Sequence, residues 1–286
     1  MDRFKSVRLA SILGIAGNVF LLVIKATVGL LTGSQAMIAD SFNSAGDIFS
    51  SVMTFIGNKI ASKPDDEDHN LGHGKAEYIY SMFISIVMIV MSLIIIKNSA
   101  TSIFFHNKYD FSVWLVIVCV ITIVIKLFLF LYTNKIAKKL NNLLIKANSE
   151  DHRNDCIVTL CNLISCLVSL KGIYWIDGIV GIGIAIWILV SAIKIFIQSY
   201  DVLMDKCIDD NTKKEVLDII SKHKEIQKIT HFNSTPVGYK YQISFSIFVD
   251  GNLSTFESHD IADKLEKEID KEIEEVYLTV IHVNPI

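Results

Sequence analysis

Two polar patches in otherwise apolar sequence share one nine-residue pattern, ADSFNSAGD from Ala39 to Asp47 and ANSEDHRND from Ala147 to Asp155. Each reads Ala, Asp or Asn, Ser, any residue, Asn or Asp, three residues, Asp. On a helix the last two polar positions of each copy, Asn43 with Asp47 and Asp151 with Asp155, lie one turn apart on the same face. Three carboxylates and one amide carbonyl could therefore meet between two helices. Acidic side chains inside bilayer-spanning helices are costly and rare, so their default reading is an ion or substrate path. Gathered in a dry setting, ionised carboxylates repel one another, and a divalent cation or protons would relieve that repulsion. Asn43 alone reads equally well as hydrogen-bonding glue between helices, and Asp47 alone as a buried acid. The repetition of the pair favours the site.

Asp40 and Asn148, one turn before the paired positions, share their faces and read as supporting or entry-path groups. His152 follows Asp151 directly. One residue along a helix rotates a side chain by about 100°, so His152 is expected to face away when Asp151 and Asp155 face in. Arg153 is expected to pair with Glu150 three residues before it.

Half the residues are hydrophobic (51%) and the mean hydropathy is +0.45, which indicates a multi-spanning membrane protein. With about 20 apolar residues needed per span, six helices are expected, at 7–31, 35–59, 77–104, 111–134, 143–170 and 173–199. From Gln35 inward Asp47 lies about 18 Å deep, and Asp155 lies about 22 Å from the outer end of its helix, so both fall near the midplane. The first apolar run reads as a full span rather than a cleaved signal. Lys and Arg concentrate in the N-terminal segment and the even-numbered loops, which predicts cytoplasmic N- and C-termini in a plasma-membrane protein.

The chain is expected to divide into a membrane domain, 1–203, and a soluble domain, 204–286. In the latter, apolar periodicity predicts helix 211–222, strands 225–233 and 239–249, helix 255–273 and strand 276–283, a small αββαβ fold of the α+β class. This tail carries 16 acidic and 10 basic residues, which argues against nucleic acid as a partner. Cys119, Cys156, Cys161, Cys166 and Cys207 form no CxxC pair, so neither a disulfide framework nor a cysteine zinc site is expected. The spans contain neither His-Glu-x-x-His nor a nucleophile with a positioned base, which excludes an intramembrane enzyme and a catalytic cofactor. A passive cation channel stays open, because acidic rings also serve channels.

With six spans, paired polar helices two and five, the segment GHGKAE at Gly72 to Glu77 after DDEDHNL, and the αββαβ tail, the chain resembles the cation diffusion facilitators over nearly its whole length. The resemblance implies export of divalent metal in exchange for protons, by a homodimer whose protomers alternate between inward-open and outward-open states. The transport site would be Asn43, Asp47, Asp151 and Asp155. Zinc-exporting members usually carry a His in that set. An all-oxygen set suits a harder ion, and the pattern resembles the manganese-type branch, so Mn²⁺ is expected, with Zn²⁺, Fe²⁺, Co²⁺ and Cd²⁺ as alternatives.

The resemblance also implies a loop metal site at Asp66, His69 and His73, for which a solvated acidic loop is the plain alternative. Lys75 and Asp205 match a charged pair of the family near the dimer interface. His231, His259 and His282 align with a binuclear site of zinc members. Phe245, Val283 and Asn284 stand where further ligands would be needed, so one weaker regulatory site at the interface, or exposed histidines, is what remains.

Overall fold

The computed structural model describes residues 3–32, 35–105, 113–169 and 175–286, with the backbone alone at 32, 35–40, 42, 43, 102–105, 115, 162, 165–169, 175–178 and 180. Two compact units result, one of Met1–Ser62 with Ala76–Ser199 and one of Lys63–Lys75 with Tyr200–Ile286.

Six long helices make the first unit: α1 Arg3–Thr32, α2 Gln35–Ala61, α3 Ala76–Phe105, α4 Val113–Leu140, α5 Leu143–Ser169 and α6 Trp175–Leu203. Among the described residues, segments of α1, α3, α4 and α6 are long and apolar enough to cross a membrane. The other two helices carry the repeated polar pattern, which lowers their hydropathy. Between α4 and α5 the chain turns at Asn141, whose φ of 44° is a left-handed conformation that Asn tolerates. The Asn142 side chain then accepts from the Ile145 amide at 2.9 Å and starts α5. Helix α1 packs on α2 and α4, α4 on α5, and α2 and α3 on α5. At one end Arg3 holds Glu77 through two contacts of 2.8 Å and also donates to the Leu140 carbonyl, which ties the starts of α1 and α3 to the end of α4.

In the second unit the order is α7 Asp210–Ser221, β1 Lys228–Val237, β2 Lys240–Val249, α8 Thr255–Glu272 and β3 Val276–Pro285. The sheet runs β1-β2-β3, with β1 antiparallel and β3 parallel to β2. Helix α8 is the crossover that the parallel pair requires. Its start is fixed by a capping box between Ser254 and Glu257, and that of α7 by the Asp209 carboxylate. Val216, Ile219 and Ile220 of α7 and Leu265 and Ile269 of α8 bury against Ile243, Phe245 and Ile247 of β2.

The first strand is later and longer than the expected 225–233. The chain turns first, with Ile226 donating to the His223 carbonyl at 3.1 Å, and the strand then continues through Pro236. Pro236 is tolerated because β1 is an edge strand. The register shifts between Thr230 and Asn233, and His231 in that bulge has φ 54°.

Candidate metal site

Helices α2 and α5 bring Asp47, Asp151 and Asp155 together, with one oxygen of each within 4.8 Å of the others. The Ser50 hydroxyl, on the same helix as Asp47, bonds to Asp151. Asn43 sits on α2 one turn before Asp47, and its side chain lies outside the described residues, as does that of Asp40.

A third helix enters the site. Lys126 of α4 reaches across with its Nζ 2.6 Å from Asp47 Oδ2 and 2.6 Å from Asp155 Oδ2. Its side chain is fully buried, while Asp47 and Asp155 are 8% and 17% exposed. To the metal or protons expected to relieve the repulsion among these carboxylates, the structure adds a cation of the protein's own. The signal was in the sequence, because Lys126 is the lone charge between Val113 and Asn134. The rule that flags intramembrane carboxylates flags an intramembrane lysine equally. Lys25 of α1, 2% exposed, is a second buried ammonium within electrostatic reach of Asp47.

His152 is buried and does not join the carboxylate group, although Asp155 and Lys126 lie within its electrostatic reach. Its Nε2 faces α1, only 3.4 Å from where a Cβ on Gly14 would stand, so the absence of a side chain at Gly14 makes room for the ring. Both ring nitrogens, both amide atoms of Asn148, Asn18 Oδ1 and Asp151 Oδ2 lack hydrogen-bond partners among the described residues. Such buried polar atoms are costly without water or ions. Arg153 pairs with Glu150 as its spacing predicts; its guanidinium lies 4.0 Å from the Trp187 ring centroid and 3.3 Å from Ser191 Oγ, which joins α5 to α6.

In the second unit, Asp66, His69 and His73 form another group with ligand atoms within 4.8 Å. His69 Nδ1 is 3.0 Å from Asp66 Oδ1, His73 Nε2 is 3.4 Å from Asp66 Oδ2, and the ring centroids are 4.4 Å apart. Desolvation opposes ionisation of Asp66, but hydrogen bonds from the His69 backbone and ring hold its carboxyl below the ordinary value. The glycines of Gly72-His73-Gly74 have separate roles. Gly72 adopts φ 71°, and Gly74 approaches the β1-β2 turn so closely that a Cβ on it would stand 2.7 Å from Gly238 Cα. Lys75 Nζ then contacts Asp205 at 2.7 Å.

The three tail histidines are not gathered. His231 lies in the β1 bulge, His282 opposite Ser246 on β3, and His259 on α8 beside the Asp250 to Leu253 turn. Strands β1 and β3 flank β2, so their histidines stand about two strand spacings apart, roughly 10 Å.

Residues 11–204 match the cation efflux transmembrane domain, and residues 208–286 match the cytoplasmic domain of cation efflux proteins. The manganese efflux system protein MneP of Bacillus subtilis is 28% identical, over 99% of this chain and 98% of its own. MneS of the same organism, also named a manganese efflux system protein, is 28% identical over 100% and 98%. The cation-efflux pump FieF of Shewanella oneidensis is 26% identical over 98% and 94%.

Proposed function

The chain belongs to the cation efflux family, whose members move divalent cations across membranes rather than catalyse a reaction, and from that premise we propose that it exports Mn²⁺ in exchange for protons. The observation that carries this reading is the group Asp47, Asp151 and Asp155: carboxylate oxygens from two helices converge, and among the described residues no imidazole or thiolate joins them. Oxygen donors suit Mn²⁺, whereas zinc sites draw on His and Cys. His152, the nearest imidazole in sequence, is turned toward Gly14. The two relatives named for manganese efflux, matched over almost their full lengths, support the same ion.

Exchange follows from the ligands. Carboxylates must be deprotonated to hold a metal, so metal binding and proton binding exclude each other at the same oxygens. Metal loads from the cytoplasm, the helices reorient, and external protons displace it. On this reading the six helices cross the cell membrane with both termini in the cytoplasm, and two copies pair through their C-terminal domains. Asn43 completes the transport set from α2. The group Asp66, His69 and His73 is a second cation site, whose mixed donors make it the less selective of the two.

The test is a metal panel in proteoliposomes holding the purified full-length protein, with Mn²⁺, Zn²⁺, Fe²⁺, Co²⁺ and Cd²⁺ uptake followed under an imposed proton gradient. Mn²⁺ uptake with counter-movement of protons is expected. Zn²⁺ transport without Mn²⁺ transport would overturn the ion, and voltage-dependent current without proton movement would make the protein a channel.

A further inference from the structure

We propose that the Lys126 ammonium is a tethered competitor of the cargo: it occupies the cation position between Asp47 and Asp155 in the unloaded carrier and leaves it when metal enters. This inference rests on the reading that the three aspartates hold the cargo. Nζ lies 2.6 Å from one oxygen of each of two carboxylates on different helices, which is the bridging position a divalent ion would take. The ammonium has no exposed surface, and its charge is met by the Asp47 and Asp155 carboxylates. A metal bound to the same oxygens at about 2.0–2.6 Å would sit within roughly 5 Å of Nζ. Two cations that close in a site shielded from water repel strongly, so both cannot be held in full.

The consequences concern affinity and return. Every metal ion that binds must break two charge-assisted hydrogen bonds, so the lysine weakens the site for cargo. After release, the ammonium swings back on its flexible four-carbon stem and relieves the repulsion among the carboxylates. The unloaded carrier then reorients without an uncompensated charge cluster in its core, which is the costly arrangement. Lys126 is a positioning and affinity-setting residue by this account, not a metal ligand.

The experiment measures Mn²⁺ binding to the full-length protein in nanodiscs by calorimetry, and Mn²⁺ uptake in proteoliposomes, for Lys126→Met, Lys126→Arg and Asp155→Asn. Lys126→Met is expected to bind Mn²⁺ about tenfold or more tightly, the lower range of measured couplings between close charge pairs. Its KM should fall with it, while kcat falls because the retained ion leaves slowly. Lys126→Arg keeps the charge on a fork that spans two carboxylates, so its affinity should equal or lie below that of the parent. A merely structural lysine would lower the yield of folded protein and leave the affinity of what folds unchanged. Unchanged or weaker binding by folded Lys126→Met, with binding lost in Asp155→Asn, would overturn this inference alone; undiminished binding by Asp155→Asn would overturn the site with it. Cryo-electron microscopy of the unmutated chain at saturating Mn²⁺ gives an answer independent of variant folding. Both 2.6 Å contacts should be broken beside the bound ion, and an ammonium still bridging Asp47 and Asp155 would refute the proposal.

Discussion

At the centre of the helical unit lie Asp47, Lys126, Asn148 and His152, whereas at the centre of the C-terminal unit lie Ile243, Ile247, Leu265 and Ile269. Their surfaces are reversed as well. Val124, Phe128 and Leu131 of α4 are 61%, 58% and 57% exposed, while α8 turns Lys264 and Lys267 outward, each paired with an aspartate four residues earlier. A chain in water gains stability by removing apolar surface from solvent, and so it stores its hydrophobes inside. Lipid gives no such gain, because its tails are as apolar as Leu, so the helical unit can spend its interior on polar groups. The six helices share a polar interior, and the candidate site of Asp47, Asp151 and Asp155 lies there.

Five substitutions test that contrast. The largest effect is expected from Asp47→Ala or Asp155→Ala, each removing a carboxylate that faces the shared space. Loss of an outer partner of a metal site commonly costs 10–100-fold, and loss of a direct ligand should exceed this, so Mn²⁺ uptake should fall by about a hundredfold or more. Liposome uptake checks it, and near-normal rates in either variant would remove the site from α2 and α5.

Next comes Leu265→Ala, which empties part of the packed α8 face. The expected loss is about 2–5 kcal/mol, read from the thermal or denaturant unfolding of the C-terminal unit within the full chain. Ser254→Ala breaks the capping box and should cost about 1 kcal/mol. Hydrogen bonds from the Ser254 amide and hydroxyl hold the Glu257 carboxyl below its ordinary 4.5, and those from the Thr212 hydroxyl and amide hold Asp209 below 3.8. Folded values lower than unfolded ones contribute stability that is complete above the unfolded values and is lost as the pH falls through the folded ones. A pH titration of unfolding should thus show the C-terminal unit weakening below 4.5, less steeply in Ser254→Ala. The smallest effect is expected from Leu131→Ala, the same truncation as Leu265→Ala but on an exposed apolar face expected to meet lipid, at under about 1 kcal/mol. A large loss there would mean that the face is packed against protein.

Most of the architecture could be read before the structure because its signals are local. Six apolar runs and the period of α8 each lie within one segment. The aspartates of α2 and α5 were legible for the same reason: an i, i+4 pair is a local pattern, and its repetition points to a partner. Lys126 carries a local signal, a lone charge in an apolar run, but its partners were not legible, because they lie 79 and 29 residues away and a lone lysine has no spacing that names them. The start of β1 was misplaced because pairing with β2, rather than the alternation of its own residues, decides where the strand begins. Gln227 donates to the Phe248 carbonyl at 2.9 Å, and the bulge at His231 then breaks the period that a sequence pattern would count.

The meeting of Gly74 with Gly238 has a mechanical meaning. Backbone rests on backbone there, with nothing compressible between, and a single added methyl on Gly74 would stand 2.7 Å from Gly238 Cα. The joint therefore has no clearance: one carbon atom works as a wedge that pries the Gly72 to Lys75 segment off the hairpin tip without altering a single charge.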